Sequence, residues 1–183
     1  MIRALLTAIT VLTPMAAGAQ VQSYRELWNG QPAPRDEALM RATLMQAQNR
    51  ARAAYGSAPL VWDNALVASA RAYAGVLARE NRFAHDPQGG MFIRQGENLW
   101  KGTRGAFDYA TMVADWIDER KNFKPGRFPD VSGKEHWTMV SHFTQIVWPT
   151  TTRVGCAIDS NARDDYLVCR YLPAGNVFGV AMR

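Results

Sequence analysis

This chain offers few groups that could do chemistry. It holds three histidines, His85, His136 and His142, and two cysteines, Cys156 and Cys169. His142 stands out because Phe143, Ile146, Val147 and Trp148 follow it closely. So apolar a run has to pack into a core, which fixes the position of the imidazole beside it. Ser141 directly precedes His142, but neighbours on a short helix point apart, which argues against a serine–histidine pair. There is no His-Glu-x-x-His helix, no Gly-x-Ser-x-Gly turn and no cysteine beside a histidine. Two cysteines are too few for a zinc cage. Their midpoint falls between Ala162 and Arg163, inside the polar run Asp159 to Asp165. A hairpin closing there would set Cys156 opposite Cys169 and permit a disulfide.

The elements that must position these groups read as helices first and strands last. Asp36 caps a helix that ends at Gly56, with Leu39, Leu44, Met45 and Ala51 as core candidates. Leu60-Val61-Trp62 is a short extended link. Asp63 caps a second helix, whose Leu66, Ala70, Tyr73 and Leu77 make one apolar stripe while Arg71, Arg79 and Glu80 face water. It ends near Arg82 and delivers His85 into a loop broken by Pro87, Gly89 and Gly90. Gly96 to Trp100 reads as a strand. A third helix is expected over roughly 105–123, with Ala106, Ala110, Val113 and Ile117 as its core stripe and Met112, Trp116 and Glu119 on an adjacent face. After a Pro- and Gly-rich loop, His142 sits in a short helix. Arg153 to Ile158 and Tyr166 to Leu172 form the hairpin, and Val177 to Met182 is a last strand. Trp100, Trp116, Trp137 and Trp148 read as core. This order implies an α+β layered sandwich in one domain.

Met1-Ile2-Arg3, an apolar run from Ala4 to Leu12 and Ala17-Gly18-Ala19 read as a secretory signal peptide over residues 1–19, too short to span a membrane. A polar leader, 20–35, carries Pro32 and Pro34, and Trp28 is expected to pin it to the domain at 36–183. The mature chain should have no transmembrane segment and be secreted or periplasmic. Its formal net charge is +5, less the one unit of Arg3, with basic residues scattered rather than clustered. That excludes a nucleic-acid surface and leaves weak attraction to anionic lipid or cell wall. Export to an oxidising compartment favours the disulfide.

Two blocks, Ser141-His142-Phe143-Thr144-Gln145-Ile146-Val147-Trp148 and Tyr166-Leu167-Val168-Cys169-Arg170-Tyr171-Leu172-Pro173-Ala174-Gly175-Asn176-Val177, resemble the CAP superfamily of cysteine-rich secretory proteins, venom antigens and pathogenesis-related proteins. Gln48-Asn49-Arg50-Ala51-Arg52 resembles the family's first-helix segment, with Gln48 where His is usual. Pro59 to Asp63 and Trp116-Ile117-Asp118-Glu119 resemble its second- and third-helix segments. The resemblance implies a three-layer α–β–α sandwich with a central cleft carrying two histidines and two glutamates. These fall on His85, Glu97, Glu119 and His142; His136 lies outside. Taken singly, each histidine also reads as a structural residue, Glu97 as a strand-end cap and Glu119 as a solvated acid.

On the family pattern, His85 and His142 would bind zinc or another divalent cation, with Glu97 and Glu119 as further ligands or behind the imidazoles. Protons compete for the same nitrogens, so binding should weaken on acidification. The expected activity is binding, to lipid, a membrane surface or a protein target, with no oligomeric state implied. The alternative is a metal-dependent hydrolase with Glu97 or Glu119 as base. Fewer cysteines than in plant and animal members point to a bacterial branch.

Overall fold

The structure, a computed structural model, describes residues 31–89, 93–134 and 136–182. The expected signal peptide, most of the leader and Trp28 lie outside the described residues.

Helix α1 covers Glu37–Tyr55. Asp36 accepts the N–H of Leu39 at 2.7 Å, and Gly56, at φ 81°, closes the other end in the left-handed conformation a glycine adopts freely. Its buried face runs Met40, Leu44, Gln48 and Arg52, four residues apart. Of the expected core residues only Leu44 is fully buried. Met45 and Ala51 pack at the edge and Leu39 is exposed. The stripe includes two polar residues, which a hydrophobicity pattern cannot detect.

Strand β1, Val61–Trp62, leads to α2, Asn64–Glu80, capped by Asp63, which accepts from Ala65 and Leu66. All four expected stripe residues of α2 are buried. Strand β2 covers Gly96–Thr103. Helix α3 is shorter than expected, Tyr109–Ile117, followed by a 3-10 turn, Asp118–Asn122. It starts late because Asp108 takes the N–H of Thr111 at 2.7 Å and acts as the cap. Its buried face is Tyr109, Met112, Val113 and Trp116 rather than the stripe through Ala110 and Ile117. Ala110 and Ile117 instead line a groove against Ala47, Ala51 and Ala54 of α1.

Strand β3, Gly126–Arg127, a 3-10 turn, Trp137–Val140, and helix α4, Ser141–Val147, come next. The chain then forms β4, Arg153–Ser160, β5, Asp164–Leu172, and β6, Ala181–Met182. The last strand is shorter than expected and pairs with β3.

The main sheet has the order β1-β4-β5-β2, with β1 parallel to β4 and the other pairs antiparallel. Alternation along β5 sorts the layers. Tyr166 and Val168 pack with Ala70, Tyr73 and Leu77 of α2 on one face. Leu167, Cys169 and Tyr171 join Leu44, Met112, Ile146 and Trp148 on the other. The result is the expected α–β–α sandwich. Gly155 lets α2 approach: a Cβ there would lie 2.4 Å from the backbone nitrogen of Val67. Cys156 stands opposite Cys169 in the register, with the Cα atoms 4.1 Å apart and the disulfide formed.

The end of the leader is strapped down. Ala33 donates to the carbonyl of Gly105, and Arg35 pairs with buried Asp165 at 2.5 Å.

Candidate functional site

His85 lies in the extended stretch beyond α2, held there by Tyr73, whose hydroxyl donates to the carbonyl of Ala84 at 2.6 Å. Burial, reinforced by the charge of Glu97, pushes the Tyr73 phenol above its usual range, so it stays a neutral donor. Nδ1 of His85 is 2.5 Å from Oε1 of Glu97 on β2. That carboxylate also accepts the N–H of Asp86 at 3.2 Å and meets Arg170 at 3.1 Å. Arg170 is fully buried, pairs with Asp86 at 2.6 Å and lies over the Tyr73 ring. A desolvated cation therefore stands behind the first imidazole and offsets two carboxylates.

His142 is placed by α4. Its Nδ1 is 2.6 Å from Oε1 of Glu119 in the 3-10 turn after α3. The other oxygen of Glu119 accepts the N–H groups of His142 (2.9 Å) and Phe143 (3.1 Å), tying that turn to the start of α4. The ring stacks on Trp116 at 5.9 Å. Here backbone donors, rather than a guanidinium, stabilise the carboxylate.

Both imidazoles are thus built alike. An ionised carboxylate can only accept, so it draws the proton of a neutral ring to Nδ1 and leaves the lone pair on Nε2. His85, Glu97 and His142 line one cleft of about 610 Å3, while Glu119 stands behind His142. His136 is elsewhere, with Nδ1 2.9 Å from the Thr138 hydroxyl. Among the described residues, no three of His, Cys, Asp and Glu form a group that could hold an ion unaided.

Several lining residues were not singled out by the sequence. Asn98 is 1% exposed; its amide donates to the His142 carbonyl (3.1 Å) and to the Tyr171 hydroxyl (3.3 Å), leaving Oδ1 without a partner. Its place in Gly-Glu-Asn-Leu, beside Glu97, was the available signal. Arg94 and the apolar lip of Trp137, Val177 and Phe178 carried none. Behind Asn98, Tyr171 donates to Gln48 at 3.0 Å, and burial pushes its phenol far above the usual range. So Gln48, where the family pattern has His, serves as a buried acceptor.

Comparison with known proteins shows the family and the fold. The family described as CAP, the cysteine-rich secretory protein family, matches over residues 45–171. Pathogenesis-related protein PR-1 of Medicago truncatula is 37% identical over 72% of this chain and 72% of its own. Pathogenesis-related protein PRMS of Zea mays is 35% identical over 73% and 76%. Among solved structures, NaASP2 with Zn2+ superposes with a TM-score of 0.66 at 20% identity, covering 81% of this chain and 88% of that one. These plant relatives lend no support to a bacterial branch.

Proposed function

The chain belongs to the CAP, or cysteine-rich secretory protein, family, and from that premise we propose that it is an exported binding protein whose cleft holds a divalent cation, such as zinc, between His85 and His142. What carries the reading is the pairing of each imidazole with its own carboxylate, at 2.5 and 2.6 Å, so that both neutral rings offer Nε2. Glu97 and Glu119 are then spent on the imidazoles and act behind them, rather than as ligands. The donor set fits a loosely held ion, because two nitrogens and no thiolate leave the rest of its shell to solvent. When bound, the ion would supply a Lewis-acidic anchor for an oxygen-bearing partner.

Support also comes from the solved relative NaASP2, determined with Zn2+. Export agrees with the Ala17-Gly18-Ala19 pattern and with the disulfide, which persists in oxidising compartments. Among the described residues no helix is long and apolar enough to cross a membrane. Turnover by a metal-dependent hydrolase is the weaker reading: a base must reach water in the cleft, and both glutamates are already occupied by imidazole.

Zinc calorimetry on the purified protein tests the site. Wild type should give heat at neutral pH and less on acidification, as protons compete for the ring nitrogens. His85→Ala and His142→Ala should each bind at least about tenfold more weakly, the usual order for loss of a metal-site side chain. No zinc heat from wild type, or unchanged binding by both variants, would sink the assignment.

A further inference from the structure

The two imidazoles of the cleft are held by different means. His142 rides on α4, its ring stacks on Trp116, and its carboxylate partner Glu119 is fixed by two backbone N–H groups. His85 has no helix beneath it. It lies in extended chain beyond α2, and its side chain is 67% exposed. An exposed ring on such a stretch gives up rotamer freedom when it binds anything, unless something fixes it beforehand.

Two buried side chains hold it from either flank. Tyr73 of α2 donates to the carbonyl of Ala84, the residue before His85, at 2.6 Å. Arg170 of β5 meets the carboxylate of Asp86, the residue after it, at 2.6 Å. The same Arg170 nitrogen, Nη2, lies 3.1 Å from Oε2 of Glu97, whose Oε1 is 2.5 Å from the His85 ring. Glu97 and Arg170 are opposite one another in the β2–β5 register, which sets their side chains together. The guanidinium carbon sits 5.2 Å from the centre of the Tyr73 ring, so the two flanking groups also support each other. Arg170 is fully buried, and its Nε and Nη1 make no hydrogen bond among the described residues. Burying a cation is costly, yet the ion pairs this one makes all run to the two carboxylates beside His85.

We propose that Tyr73 and Arg170 are positioning residues for the cleft: they clamp the backbone on both sides of His85 and, through Glu97, its ring, so that Nε2 is held in one place before an ion binds. This deepens the reading of His85 and His142 as metal ligands and rests on it. Both residues act through His85. The sign of the effect separates a clamp from a plain field. Arg170 acting by its charge alone would repel a divalent cation, and removing it would tighten binding. Acting by position, its removal weakens binding.

The test pairs zinc calorimetry with 15N NMR of the imidazoles in chelator-treated, metal-free protein at about pH 8, above the ordinary histidine value near 6.5. In wild type both rings should carry the proton on Nδ1. Arg170→Met should bind zinc about tenfold more weakly or worse, the usual order for groups that orient a metal ligand. Its His85 should become a mixture of tautomers while His142 keeps the proton on Nδ1. Arg170→Lys should recover part of the affinity, because one charged nitrogen makes both ion pairs in wild type. Tyr73→Phe deletes one hydroxyl and no charge, and it answers the question even where Arg170→Met fails to fold. It should weaken zinc roughly three- to tenfold, the worth of one hydrogen bond. The proposal is overturned if Arg170→Met binds zinc as tightly as wild type or more tightly, or if Arg170→Lys is no better than Arg170→Met. It is equally overturned if Tyr73→Phe is silent, or if both histidines lose their tautomer together, which would mean general loosening. Absence of zinc heat in wild type removes the cation reading, and the His85 tautomer then decides whether the clamp stands. Equal zinc heat in wild type and every variant removes the clamp alone.

Discussion

Arg52 shows at the scale of one residue how a polar side chain can hold a fold together. It is fully buried on α1 and donates to four carbonyls: Ala58 at 2.6 Å, Ile146 at 2.8 Å, Trp148 at 3.0 Å and Thr151 at 2.8 Å. These belong to the chain after α1 and to the end of α4 and the loop beyond it. One guanidinium therefore fixes the element that carries His142 against the first helix. Burial pulls its pKa below the usual arginine value, yet an arginine remains charged throughout the physiological range. Truncation would strand several buried acceptors, each costing about 1–3 kcal/mol if left unpaired. Arg52→Ala should therefore lower stability by about 3 kcal/mol or more in urea denaturation. Arg52→Lys should recover only part, because a point charge cannot serve all four carbonyls. Loss below about 1 kcal/mol would show that solvent replaces the guanidinium readily. His85, His142 and both glutamates were legible as residues, because the family pattern names them. Arg52 and Gln48 were visible in the same motif, but their burial was not, since polar side chains read as surface until their partners are known.

At the scale of elements, the sequence was most readable where a cap coincided with a clean apolar stripe. α2 has both, and its four expected core residues are buried. α3 was misread because small residues on it face a groove, while the larger Met112 and Trp116 enter the core. The α2 cap also sets a pH dependence. Partial burial opposes ionisation of Asp63, but the N–H groups of Leu66 and Ala65 and the side chain of Arg153 outweigh it, so its carboxyl is held below the usual range. A lowered folded pKa means stability present above the unfolded value, about 3.9, and lost as pH falls through the folded one. Asp63→Asn keeps a capping side chain but removes the charge. The variant should be less stable than wild type at pH 6, and the gap should close as pH falls below about 4. Asp63→Ala, which removes the cap together with the charge, should be less stable than Asp63→Asn by about 1 kcal/mol at every pH where the helix is intact. Urea midpoints across that pH range check both; a gap between wild type and Asp63→Asn that widens on acidification would refute the assignment.

Taken whole, the molecule is two helical layers resting on one hairpin, and the candidate site spans them. His85 leaves the α2 layer, whereas His142 and Glu119 belong to the α1–α3–α4 layer. The disulfide joins β4 to β5 at the middle of that hairpin, with both cysteines fully buried. Its two residues are 13 apart, a loop whose closure is worth about 3 kcal/mol in the chain-entropy account. Replacing both with serine should cost at least that, since two hydroxyls then sit in an apolar core. An ion across His85 and His142 would act differently, tying layer to layer by favouring the folded state over the unfolded one. At one hundred times its dissociation constant, a ligand adds about 2.7 kcal/mol. Zinc at that excess should therefore restore most of the thermal stability lost in the double-serine variant. It should do so without changing the zinc affinity, because the hairpin centre lies outside the lining of the cleft. Calorimetric melts of wild type and the double-serine variant, with and without zinc, measure the two increments separately. Equal zinc shifts in both proteins, abolished by His142→Ala, would establish two independent fastenings. A zinc shift that disappeared with the disulfide would mean instead that the hairpin, and not the helices alone, positions the imidazoles.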